Sequence, residues 1–70
     1  MSVAKMRLVV NGVEREVGAA TLEAALHALD LADAVVATAL NGEFVPAQKR
    51  AETALGEGDR IEIVAPRQGG

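Results

Sequence analysis

Apolar and polar positions tend to alternate over Met6 to Val10 and again over Val13 to Val17, with Asn11-Gly12 between the two runs. Alternation with period two marks a half-buried strand. Asn-Gly is the strongest short signal for a hairpin, because a type I′ turn needs two successive residues at positive φ. A two-residue loop sets Val10 opposite Val13. Met6, Leu8, Val10, Val13 and Val17 then share one face, and Arg7, Val9, Glu14 and Glu16 the other. Arg15 falls on the apolar face as the one violation, and its long stem is expected to carry the charge outward at a sheet edge.

Gly18-Ala19-Ala20 breaks this pattern, and the period then changes. Leu22, Ala25, Leu26 and Leu29 follow i, i+3, i+4, i+7 spacing, which predicts a helix with one apolar stripe. Thr21 is its expected N-cap, Glu23 suits the positive end of the helix dipole, and the helix is expected to end between Asp30 and Ala32. Val35 to Leu40 reads as a third strand, and a second Asn-Gly, Asn41-Gly42, returns it into Glu43-Phe44-Val45. Pro46 has no N–H to donate and stops the ladder. A short helical turn is expected within Ala47 to Leu55, with Leu55 pointing inward. Gly56-Glu57-Gly58-Asp59 forms a tight turn, and Arg60 to Ala65 is the last strand, with Ile61 and Ile63 inward and Arg60, Glu62 and Val64 outward. A single amphipathic helix covers only one face of such a sheet, with the first and last strands side by side and parallel in the middle. The class is α+β, a ubiquitin-like β-grasp with a mixed sheet of about five strands and one main helix packed on one face. The expected organisation is a disordered leader over 1–5, one domain over 6–66 and a flexible tail over 67–70.

Composition narrows the chemistry. Half the residues are hydrophobic, but Phe44 is the only aromatic, so the core must be aliphatic. With no cysteine, this chain holds no disulfide, thiolate metal site or thiol nucleophile. The net charge is −3 and the basic residues are scattered, which argues against nucleic acid as a partner. No apolar run approaches the ~20 residues that span a bilayer, and Met1 to Lys5 carries no signal-like apolar stretch. A soluble cytoplasmic protein that does not bind membranes is the expectation. The single histidine, His27, sits beside the helix stripe and reads as a surface residue, and the dispersed carboxylates predict no metal site. Glu14 and Glu16 read as solvated surface. No phosphate-cradling G-x-x-x-x-G-K-[ST] loop is present, so ATP would have to be bound elsewhere.

The group best presented for chemistry is the carboxylate of Gly70. The last two residues, Gly69-Gly70, have no Cβ, so they fit a channel too narrow for any side chain. Pro66 ends strand pairing, and Arg67 and Gln68 are polar. At ~3.3–3.6 Å per residue, Pro66 to Gly70 reaches at most about 17 Å from the body. Arg67, Gln68 and Gly69 are therefore expected to thread into a partner's active site while the domain stays outside. In the second hairpin Ala39 lies opposite Phe44, so Ala37, Ala39 and Phe44 share the side away from the helix, with Val64 nearby. This small apolar patch at the root of the tail is the expected partner-binding surface.

The run Leu40-Asn41-Gly42-Glu43-Phe44-Val45-Pro46, then Ala51-Glu52-Thr53-Ala54-Leu55, then Gly58-Asp59-Arg60-Ile61-Glu62-Ile63 and the final Gly69-Gly70 resembles the thiamine-biosynthesis sulfur carriers, the ThiS family, over about residues 6 to 70. The resemblance implies that an E1-like adenylyltransferase of ThiF type uses ATP to adenylate Gly70. A sulfur-donating protein then converts Gly70 to a thiocarboxylate, which gives its sulfur to a thiazole synthase of ThiG type. The chain itself would bind no cofactor and catalyse nothing, and a monomer suits a shuttle of this kind. One departure stands out. Family members often carry a basic residue after the Val-Pro, where this chain has Ala47, and Lys49 and Arg50 are the nearest sources of that charge. Other readings of the same residues are the small subunit of molybdopterin synthase or another β-grasp sulfur donor, a non-conjugated ubiquitin-like binding module, and a protein modifier attached by isopeptide bonds.

Overall fold

The computed structural model describes residues 4–65. The expectations for most of the leader and for Pro66, Arg67, Gln68, Gly69 and Gly70 lie outside the described residues. In chain order the elements are β1 (Met6–Val10), β2 (Val13–Val17), α1 (Leu22–Ala28), β3 (Ala37–Leu40), β4 (Glu43–Val45), a 3-10 turn (Ala47–Glu52) and β5 (Arg60–Val64). They form a five-stranded sheet ordered β2-β1-β5-β3-β4. β1 and β5 run parallel in the centre, and the other neighbours are antiparallel. This is the mixed β-grasp sheet that the element order implies.

Each hairpin turns where Asn-Gly stands. Asn11 and Asn41 both sit at φ 51°, followed by Gly12 at 81° and Gly42 at 88°. These left-handed values are cheap only for asparagine and glycine, so the two dipeptides fix both registers, Val10 to Val13 and Leu40 to Glu43. The register then decides what is buried. Leu8, Val10, Val17 and Ile61 meet Leu22 and Ala25 of α1 in an aliphatic core, Leu29, Leu55 and Ile63 pack around it, and Leu26 is buried as well. Val13, expected on the inward face, lies at the edge and is exposed. Arg15 pairs with Leu8 on edge strand β2 and reaches solvent, as its stem allows.

Three boundaries differ from the sequence reading, the slightest being β5, which ends at Val64 rather than Ala65. α1 stops at Ala28, short of Asp30 to Ala32. Asp30 takes φ 65°, its N–H donates to the His27 carbonyl (3.1 Å), and the Leu31 N–H donates to the Leu26 carbonyl (2.7 Å). That pair of bonds closes the helix as a Schellman motif, with aspartate where glycine is usual. At the other end Thr21 caps as expected, its Oγ1 accepting from the Ala24 N–H at 3.1 Å. β3 begins at Ala37, two residues later than read, because its ladder to β5 starts at Ala37–Val64. Val35 is 78% exposed and the Val36 carbonyl accepts from Arg50 instead of a strand.

Candidate functional site

The patch expected from hairpin geometry is present. The turn at Asn41-Gly42 sets Ala39 opposite Phe44, and β3 pairs Ala37 with Val64 of β5. Strand partners share a face, so Ala37, Ala39, Phe44 and Val64 lie together on the side of the sheet away from α1. Phe44 is 69% and Val64 63% exposed, so both side chains project into solvent and neither folds over the core. The sequence reading stopped at four residues. The full register adds Val9, Arg60 and Glu62 to the same face, since Val9 pairs with Arg60 and Ala39 with Glu62. The alternation of β5 already signalled Arg60 and Glu62. The result is an apolar centre flanked by both signs of charge, an arrangement suited to a polar-rimmed interface with another protein. Farther along the face Arg7 and Glu14 approach to 3.7 Å, both exposed, so the pair contributes little to stability.

The patch adjoins the strand that leads into the C-terminal glycines, and asparagine side chains grip that strand from both flanks. Where β1 turns away after Val10, the Asn11 carboxamide takes over its ladder. Its Nδ2 donates to the Ile63 carbonyl (3.1 Å) and its Oδ1 accepts from the Ile63 N–H (2.8 Å). At the start of β5, Asn41 Oδ1 accepts from the Arg60 N–H (2.9 Å) and Asn41 Nδ2 donates to Asp59 Oδ1 (3.1 Å). Each side-chain amide stands in for a missing peptide group. Sequence reasoning saw only the turn signal in these residues, because their contacts with β5 span 52 and 19 positions.

The basic residues after Pro46 divide. Arg50 is held in the fold, donating from Nε to Thr38 Oγ1 (3.0 Å) and from its terminal nitrogen to the Val36 carbonyl (2.7 Å). Thr38 is the one buried polar residue among those described, and it donates in turn to the Val45 carbonyl (2.8 Å). That clamp ties the 3-10 turn to the β3–β4 hairpin, while Lys49 stays exposed. His27 is exposed and pairs with Glu23 one helical turn away (3.3 Å). Among the described residues no group of three or more His, Asp or Glu side chains converges on a metal-sized site. No helix among them is long and apolar enough to cross a membrane.

Three comparisons bear on this arrangement. The crystal structure of the thiamine biosynthesis protein ThiS from Geobacter metallireducens superposes with a TM-score of 0.75 at 36% identity, covering 93% of this chain and all of that one. A thiazole synthase of Paramagnetospirillum magneticum (strain ATCC 700264 / AMB-1) is 44% identical over 66 residues. That stretch takes in 93% of this chain but only 20% of the synthase. The ThiS family model matches residues 8–70, a span that takes in all of the sheet but the first two residues of β1, the patch and both terminal glycines. A β-grasp body that holds its last strand at both ends and leads it to Gly69-Gly70 is thus a member of the ThiS family.

Proposed function

We propose that this chain is a sulfur carrier protein of thiamine biosynthesis, supplying the sulfur of the thiazole ring. The observation that carries this reading is the continuity of the family match from the body through Gly70, on a fold that sets an exposed apolar patch beside the strand leading there. A carboxylate at neutral pH resists nucleophiles and must be activated. The Gly70 carboxylate attacks the α-phosphate of ATP bound by an E1-like adenylyltransferase of ThiF type, and pyrophosphate leaves. The resulting acyl-adenylate is electrophilic. A sulfur-donating protein's persulfide attacks it and AMP leaves. A thiol then cleaves the sulfur–sulfur bond, and Gly70 is left as a thiocarboxylate. This group delivers its sulfur to thiazole synthase.

In this scheme the chain is a cosubstrate of the cytoplasm and catalyses no step. Gly69, Gln68 and Arg67 supply a slim lead into the partner's channel, and Phe44, Ala39, Ala37 and Val64 dock the body outside it. The Paramagnetospirillum thiazole synthase supports the pairing, since a segment similar to this chain makes up a fifth of it. Shared occupancy of one polypeptide favours a carrier and a synthase that work on each other. The test uses labelled ATP and an adenylyltransferase of ThiF type. Label from AMP is expected on the intact chain and absent from a version lacking Gly70. Equal labelling of both would overturn the assignment of Gly70.

A further inference from the structure

The two Asn-Gly turns carry a reactivity that the carrier scheme does not use. In Asn-Gly the glycine N–H meets no Cβ in its way, so the backbone nitrogen readily attacks the asparagine Cγ. Ammonia leaves and a succinimide forms. Water then opens either carbonyl, giving aspartate or the isoaspartyl linkage, in which the backbone runs through the side-chain carbon. Both asparagines are solvent-exposed and both sit in the open turn conformation, with φ 51°. Their carboxamides are not free, however. Asn11 is held by the Ile63 N–H and carbonyl, and Asn41 by the Arg60 N–H and Asp59 Oδ1. Attack requires Cγ to swing toward Gly12 or Gly42, which breaks both bonds of the latch at that site.

We infer that Asn11 and Asn41 are spontaneous deamidation sites that folding protects through their hydrogen bonds to the β5 strand and its turn, and that deamidation in turn loosens β5. Two opposing effects act on the rate. The Ile63 and Arg60 N–H groups polarise the carboxamide carbonyls, which favours attack. The restraint on rotation opposes it, and the restraint prevails, because a polarised carbon that does not reach the nucleophile does not react. The damage is lasting. An aspartate at 11 has no donor for the Ile63 carbonyl, and an aspartate at 41 sets a second carboxylate against Asp59. An isoaspartyl residue also lengthens the turn by one backbone carbon and breaks the Val10–Val13 or Leu40–Glu43 register. The chain therefore carries a chemical record of time spent unfolded, written at the strand that leads to Gly70.

The test incubates the full chain at mildly alkaline pH, once folded and once in guanidinium chloride, and maps the mass gain of amide-to-acid conversion to each site. Conversion in the folded chain is expected to be slower by roughly tenfold or more at both sites, equivalent to a latch of about 1.4 kcal/mol. The converted protein, returned to native conditions, is expected to melt below its parent. A folded rate within about tenfold of the unfolded one, or a converted protein that melts with its parent, overturns the inference.

Discussion

Asn11 does two jobs that a substitution can separate. Its left-handed φ makes the turn, and its carboxamide closes the ladder on Ile63. Glycine keeps the first and loses the second. Asn11→Gly is therefore expected to fold with an unchanged register but lose about 1–2 kcal/mol, the net value of two hydrogen bonds, measurable by urea titration. Asn11→Ala should lose more, because alanine also meets the steric cost of positive φ. Asp30 presents the converse case. It occupies the left-handed C′ position of α1, where a carboxylate also faces the negative end of the helix. Asp30→Gly is expected to raise stability by about 0.5 kcal/mol, read as a higher melting temperature. The sequence disclosed Asn11 as a turn residue because that property is local. It concealed the latch, because an Asn-Gly turn signals no contact 52 positions away, and it set the helix end at Asp30 to Ala32 rather than Ala28, because aspartate does not signal a Schellman closure.

At the scale of elements, both hairpins, the Thr21 cap and the apolar stripe of α1 were legible because each follows from a short spacing rule. β3 was misread at its start. Val35 and Val36 look like strand residues, yet the ladder partner on β5 begins only at Val64, and Arg50 takes the Val36 carbonyl. That arginine sits in a segment that reads only as a short helical turn. Its link to Thr38 joins the 3-10 turn to the hairpin through a buried hydroxyl. Thr38→Val keeps the shape but leaves Arg50 Nε without its acceptor and the Val45 carbonyl without that donor. A loss of about 1–3 kcal/mol is expected by denaturant titration. If the variant matched the parent, the clamp would contribute nothing net to stability. The same chemistry bears on the site. Arg50 is committed to the fold, so partner affinity is expected to respond to Lys49→Ala without the loss of stability that Arg50→Ala brings.

For the whole molecule, the proposed function divides labour between a β-grasp body that recognises and a C-terminus that reacts. The patch was legible in the sequence because hairpin register alone set Phe44 against Ala39, and β5 alternation turned Arg60 and Glu62 outward, whereas their exact places beside Val9 and Ala39 needed the β1–β5 and β3–β5 registers, which no local pattern encodes. Since Phe44 is 69% exposed, Phe44→Ala is expected to shift stability by less than about 0.5 kcal/mol. Its effect on capture by the adenylyltransferase should be a loss of roughly tenfold or more, as for an aromatic anchor at an interface. Gly69→Leu should do the opposite, leaving docking intact and blocking adenylation. The most direct measurement uses the absence of cysteine from this chain. After incubation with the adenylyltransferase, ATP, a persulfide donor and a small thiol that is then removed, a thiol-alkylating reagent should label the chain once, and fragmentation should place the label on Gly70. Persistent failure of the loaded mixture to take any label, or a label anywhere but Gly70, would contradict the account.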